Sequence, residues 1–320
     1  MAAWTLRTVA AILANPRYTG RQVWNRQRTD FDLVDRRATR NHHGQGSMDG
    51  MEDPLRGLPD TSRPNVARVY DYLLSGIESY PADREQAAAL LRICPALGMA
   101  ALENRYFLAR AVTWAAEHGV TQFVDLGAGP PIRKARAGVL EDIHLTAQAA
   151  SPSARVAYVD HDPVVCRRSR TFRAPARGVA VTAADMTDPA AVLGDLGLRA
   201  VIDLARPVCF IFGLALSLLP PGLARHVAAG YMRRAAPGSL AVVSCWRCED
   251  EALWKQLRKA YTAAPAYNHA PGEVQGFLAG LDLVPPGIAA TQHCRPGWRD
   301  APVTPPGAVY VLGGIARKPG

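Results

Sequence analysis

Apolar and polar positions follow two rhythms along this chain of 320 residues. From Thr61 onward the first rhythm is helical. Val66, Val69, Tyr70, Leu73 and Leu74 recur at the spacing of one helix face, with Thr61 or Ser62 as its cap, Pro64 in its first turn and Gly76 at its end. Further helices are predicted over residues 81–93, stopped before Pro95, and over about 99–117, ended by Gly119. The pattern then changes to short, continuous apolar runs, as in strands buried on both faces of a parallel sheet. Such runs occupy 122–125, 155–160, 178–184, 207–216 and 239–244. Helical stretches over about 139–150, 163–171, 223–235 and 251–263 alternate with them. In the last, Trp254, Leu257 and Tyr261 share one apolar face and are assigned to the core. Two late strands, around 281–284 and 309–316, predict an antiparallel edge. Alternation of this kind predicts an α/β fold, a doubly wound sheet preceded by a layer of helices.

Three of the runs lead to an acid. Asp125 ends the first and is followed at once by Leu126, Gly127, Ala128 and Gly129. Asp160 ends the second, and Asp185, beside Met186, follows the third. Strand ends in a doubly wound sheet open on one crevice, and glycines let the backbone approach a ligand where a Cβ would collide. The three carboxylates therefore predict a nucleoside site, with Asp125 able to accept from an ammonium or a hydroxyl. A dinucleotide fits poorly. The third position of G-x-G-x-x-G is Ile132, behind Pro130 and Pro131, and Asp160 lies 35 residues beyond Asp125, where about twenty are usual. No Gly-Lys-Ser/Thr follows the glycines, which excludes a P-loop.

The Asp-x-Gly-x-Gly strand end with two later acids resembles that of class I S-adenosylmethionine (SAM) methyltransferases. Other motifs narrow the likeness: residues 60–76 with Arg63, Asn65, Tyr70 and Tyr72; Tyr80-Pro-Ala-Asp83-Arg84; Glu103-Asn104-Arg105; Asp160-His161-Asp162-Pro163; Asp185-Met186-Thr-Asp188-Pro189; residues 280–285; Trp298; and residues 313–318. Together, from about residue 58 to the end, they resemble a mainly actinobacterial SAM-dependent methyltransferase family of unassigned substrate. The resemblance implies S-adenosyl-L-methionine as cofactor. It places Gly127 and Gly129 at the methionine part, with Asp125 and Ala128 also at the cofactor, Asp160 at the ribose, His161 beside the adenosine, and Asp185 with Met186 at the adenine. It also implies a core over 120–320 and a helical lid over 48–119, with Arg63, Tyr72, Asn104 and Arg105 toward cofactor or acceptor. Tyr72 and Ser217 are expected near the methyl. The chain departs from the family at 132–138, a longer insert, and at Ser217-Leu218, where a His-Phe pair is frequent.

Methyl transfer needs alignment more than a dedicated base. His144, His161, His226, His269 and His293 are candidate bases by residue type alone, so no catalytic residue is assigned. Neither an Asn-Pro-Pro-Tyr amide-methylation motif nor the Pro-Cys of cytosine methylation follows the fourth strand. A small-molecule acceptor is the expected partner. Two alternatives are a SAM-binding regulator without activity and a recombination-linked DNA-binding protein.

The second alternative rests on the leading segment. Residues 4–14 read as a short helix stopped by Asn15-Pro16, followed by an Arg-rich stretch and a linker at 42–47. This is similar to the start of the recombinase domain of large serine recombinases, but over only about 35 residues. A remnant, poorly ordered over 1–47, is expected rather than a working nucleic-acid module. The net charge is +9, yet residues 1–47 alone hold eight Arg against three Asp. The surplus therefore says little about the partners of the remainder. Apolar residues make up 48% and charged residues 20%, an ordinary soluble profile. With no apolar run near the ~18 residues of a membrane span and no secretory signal, a cytoplasmic protein without a membrane partner is expected. Six cysteines are scattered, and Cys245-Trp-Arg-Cys248 lacks a second pair or a histidine cluster. Reduced thiols and no metal are the reading.

Overall fold

The computed structural model describes residues 60–132, 141–296 and 307–320. The chain divides into two units, Met1–Arg56 and Gly57–Gly320, and the described residues all belong to the second. The expectations for 1–47, for Trp298 and for most of the insert at 132–138 lie outside them.

Among the described residues are ten α-helices and an eight-stranded sheet. Three helices come first: α1 (Val66–Leu73), α2 (Pro81–Ile93) and α3 (Leu97–Glu117). The cap of α1 differs from the expected one. Asn65, not Thr61 or Ser62, accepts from the Ala67 and Arg68 N–H groups, while Ser62 donates to Asp60. Asn65 wins because its extended backbone stands directly before the first helical residue.

The strands are β1 (Gln122–Leu126), β2 (Arg155–Asp160), β3 (Val179–Ala183), β4 (Cys209–Gly213), β5 (Leu240–Cys248), β6 (Asp282–Leu283), β7 (Ala289–Ala290) and β8 (Val309–Arg317). They lie in the order β3-β2-β1-β4-β5-β8-β6, with β7 also on β8. β1 to β5 are parallel, and β8 runs antiparallel to β5, β6 and β7. The order reverses direction between β1 and β4, where a doubly wound sheet opens its binding crevice.

The connecting helices are α4 (Ile143–Ala150), α5 (Pro163–Phe172), α6 (Pro189–Gly194), α7 (Leu196–Arg199), α8 (Pro221–Arg234), α9 (Glu251–Ala260) and α10 (Pro271–Phe277). Alternate strand residues feed two cores, one on each face of the sheet. Val124, Leu126, Phe210 and Phe212 meet Tyr231 of α8 and Phe277 of α10 on one side. Phe123, Cys209 and Ile211 meet Phe107 and Val112 of α3 on the other. Burying each large side chain stabilises by roughly 1.5–3 kcal/mol. A third cluster joins Val69 of α1, Leu90 of α2 and Leu257 of α9, so the leading helices pack onto the late part of the chain.

Two strand boundaries depart from the apolar pattern. The run at 207–216 is not one strand: β4 stops at Gly213, Leu214 takes a left-handed φ of 62°, and a 3-10 turn follows at Ala215–Leu218. The Leu214 N–H is held by the backbone oxygen and hydroxyl of Ser244, which fixes the chain's exit from the sheet. In contrast, β5 continues to Cys248 because all nine of its residues pair with β8. Cys245 and Cys248 are thus strand residues, and all six thiols are free and buried.

Candidate cofactor and acceptor site

A cavity of about 480 Å³ opens over the carboxyl ends of β1, β2 and β4 and beneath α1. Its floor is the loop after β1. Gly127 and Gly129 there have φ of +72° and +64°, conformations that favour glycine. A Cβ on Gly127 would stand 3.0 Å from that of Ala215 and 3.7 Å from the Met186 sulfur, so the loop and its neighbours form a close cradle.

The loop is held from both sides. Asp160 accepts the Gly129 N–H at 3.0 Å on one oxygen and the Asp162 N–H at 2.9 Å on the other. A carboxylate has about four lone-pair sites, so acceptor capacity remains. Burial raises the Asp160 pKa against the pull of these two donors. Beneath the loop, the buried Arg173 donates to the carbonyls of Gly129 (2.8 Å) and Pro130 (3.1 Å) and pairs with Asp142 at 2.7 Å. Nothing in its sequence neighbourhood singles out Arg173: Ser169, one turn back on α5, takes one of its hydrogen bonds, but the loop carbonyls and Asp142 lie more than thirty positions away.

Asp125 is 4% exposed, and burial pushes its carboxyl up to about 6 against the opposing charges of Arg105 and Arg173. Arg105, half-buried on α3, lines the same cavity. Asp185 is exposed at the mouth, accepting the Thr187 N–H at 2.8 Å, while the Met186 carbonyl accepts from the Tyr231 hydroxyl at 2.9 Å. His161 projects largely into solvent, 3.9 Å from Asp160.

The leading helices are fastened to the end of β2 by a polar network. Asp162 caps α5 and accepts from the Asn65 side chain at 2.7 Å. Arg68 of α1 pairs with Asp83 of α2 at 2.7 Å, both buried, and Asp83 also accepts the N–H groups of Asn65 and Tyr80 at 2.8 Å.

Every residue assigned to the cofactor from sequence lines this one cavity: Asp125, Gly127, Ala128, Gly129, Asp160, His161, Asp185 and Met186. The acceptor residues divide. Asn104 and Ser217 line the cavity. The Ser217 hydroxyl, however, takes the Trp246 N–H at 2.9 Å in a side chain 1% exposed, which gives it a part in shaping β5. Asn104 donates to the Tyr70 hydroxyl at 2.9 Å, and its Oδ1 is buried without a partner. Tyr72 and Arg63 do not line the cavity. Two residues along a helix turn the side chain by about 200°; Tyr70 therefore faces the cavity, and Tyr72 packs into the cluster with α2 and α9. Arg63 is exposed before α1, and its carbonyl takes a hydrogen bond from Arg68. Trp254, Leu257 and Tyr261, read as core, form cavity wall as well. Helical apolar spacing is the same for a core face and a pocket wall, so periodicity does not separate them.

A protein-family model described as S-adenosyl methyltransferase matches residues 55–319. The chain belongs to that family. Among solved structures, a candidate methyltransferase from Thermobifida fusca YX is similar at 33% identity and a TM-score of 0.73, over 82% of this chain and 97% of that one. A DUF574 family protein from Streptomyces avermitilis MA-4680 is 32% identical with a TM-score of 0.72, over 81% and 99%. A search of curated proteins gives no match. A second family model, described as recombinase, matches residues 1–54. The methyltransferase match thus covers every described residue but the last. The sheet with its reversed β8 is the class I methyltransferase fold expected from the strand-end acids.

Proposed function

We propose that the chain binds S-adenosyl-L-methionine in this cavity and methylates a small molecule seated beside it. The carrying observation is that the glycine loop and the acids Asp125, Asp160 and Asp185 converge on one cavity. Asp125 faces the cofactor's ammonium and Arg105 its carboxylate, so opposite charges recognise the amino-acid end. Gly127, Ala128 and Gly129 admit the chain closely, Asp160 accepts from the ribose hydroxyls beside His161, and Asp185 with Met186 borders the adenine. The cofactor supplies the activated methyl, and the protein's part is to align the acceptor and exclude water. No described helix is long and apolar enough to cross a membrane. A reaction in the cytoplasm is a separate part of the proposal.

Calorimetry on Asp160→Ala tests this reading. Loss of charge-assisted hydrogen bonds should weaken SAM binding by about 1.5–3 kcal/mol, roughly ten- to a hundredfold. Undiminished affinity in the variant, or tighter binding of NAD than SAM by the parent, would overturn the assignment.

Residues 1–47 are proposed to lie apart from this activity. A chain shortened to begin at Met51 should keep the parent's melting temperature and SAM affinity. A lower melting temperature would make the segment integral to the domain. Salt-dependent DNA binding lost on shortening would support the recombination-linked reading instead.

A further inference from the structure

The cavity has two chemically different halves. Over β1 and β2 it is polar, with Asp125, Asp160, Asp162 and Asp185 around the glycine loop. Toward α1, α2 and α9 its walls are Leu73, Leu90, Trp246, Trp254, Leu257 and Tyr261. Two indoles and a phenol among aliphatic side chains make a surface for a flat apolar ring, since offset and edge-on ring pairs add to the area they bury.

The charges around this second half are unequal. Arg247 is already engaged by both oxygens of Glu249, at 3.0 and 2.7 Å, and Glu249 also accepts the Tyr310 hydroxyl at 2.6 Å. Asp71, at the boundary between the halves, has its carboxylate turned to the Glu78 N–H at 2.8 Å. Arg258 differs. It stands on α9 one helical turn beyond Trp254, lines the cavity, is exposed, and has no acidic partner among the described residues. Its planar fork suits a carboxylate, which it can hold by two parallel hydrogen bonds.

We propose that the second half is the acceptor site and takes an aromatic carboxylic acid, its ring among Trp246, Trp254 and Tyr261 and its carboxylate on Arg258. The proposal rests on the cofactor reading for the polar half, but its own evidence is the composition of the other half. A neutral aromatic would leave Arg258 unmatched, and an aliphatic acid would leave the ring surface unfilled.

Calorimetry on the full chain, with and without saturating S-adenosylhomocysteine, can use three probes. These are 3-hydroxy-2-naphthoate, its neutral counterpart 2-naphthol, and glutarate. The naphthoate should bind at least about tenfold more tightly than naphthol, and glutarate should not bind. Arg258→Gln should remove that tenfold advantage and leave naphthol unchanged; the residue is exposed, so the fold is not at risk. Trp254→Ala should weaken both aromatic probes. Equal binding of naphthoate and naphthol, or an advantage that survives Arg258→Gln, would overturn the carboxylate contact. Glutarate binding as well as the naphthoate would overturn the aromatic class, as would failure of every probe to bind. If S-adenosylhomocysteine itself does not bind, the cofactor reading fails, while the probe ranking is still read on the free protein.

Discussion

Asp83→Ala should lower stability by about 3–5 kcal/mol, the cost of leaving a buried ion pair with one partner. Asp83 is fully buried and accepts three hydrogen bonds, from the Arg68 guanidinium and from the N–H groups of Asn65 and Tyr80. Alanine would strand a guanidinium whose side chain is 4% exposed, together with two backbone donors. Arg68 has other contacts, with the Arg63 carbonyl and, at 4.0 Å, with Asp162. These are weaker compensation, which points to the lower part of the range. For a domain of this size the melting temperature should fall by about 10 °C. SAM affinity should fall too, because the same network places Asn65 on Asp162, two residues from the proposed ribose acid. Asp83→Asn preserves shape and one acceptor oxygen and should fall between parent and alanine. A melting temperature for Asp83→Ala within error of the parent would show that the pair does not hold α1 against α2.

Much of this arrangement is legible in sequence, for identifiable reasons. Pro81 and Pro95 punctuate α2, and Gly119 with Gly127 brackets β1, so those bounds fall where the residues place them. The strand-end acids are visible because parallel strands read as continuous apolar runs and a polar residue interrupts them sharply. What is not legible depends on contacts between distant segments. Leu214 reads as strand by composition, yet Ser244 on the neighbouring strand turns it out of the sheet. Tyr70 and Tyr72 are equally plausible by type, and only the placement of α1 against α3 shows which meets Asn104. Arg173 supports the glycine loop from over forty positions away. Helix α10 (Pro271–Phe277) leaves no extended periodic apolar signal in the sequence, being seven residues long and flanked by loops.

SAM affinity should depend on pH through Asp125, falling by about tenfold per unit below pH ~6. Burial pushes this carboxyl up to about 6, with Arg105 and Arg173 pulling the other way. The sign follows from linkage. A carboxyl whose pKa rises on folding binds its proton more tightly in the folded chain, so its contribution to stability is full below the unfolded value. That contribution is lost as pH rises through the folded value near 6, leaving the free protein with a buried charge above it. An ammonium beside Asp125 favours the ionised form, so ligand binding below about pH 6 must expel the proton. Above about pH 7 no proton is released and affinity levels off. The same step gives SAM a larger stabilising effect at neutral than at mildly acidic pH. Calorimetry in buffers of different ionisation enthalpy measures the released proton directly. Asp125→Asn should bind SAM more weakly at pH ~7 and lose most of the slope and of the proton release, leaving only what Asp160, also raised by burial, contributes. Asp160→Ala, which leaves Asp125 in place, should keep the slope at lower overall affinity. A parent protein with constant affinity between about pH 5 and 7 would remove Asp125 from the ammonium contact, whatever holds the rest of the cofactor.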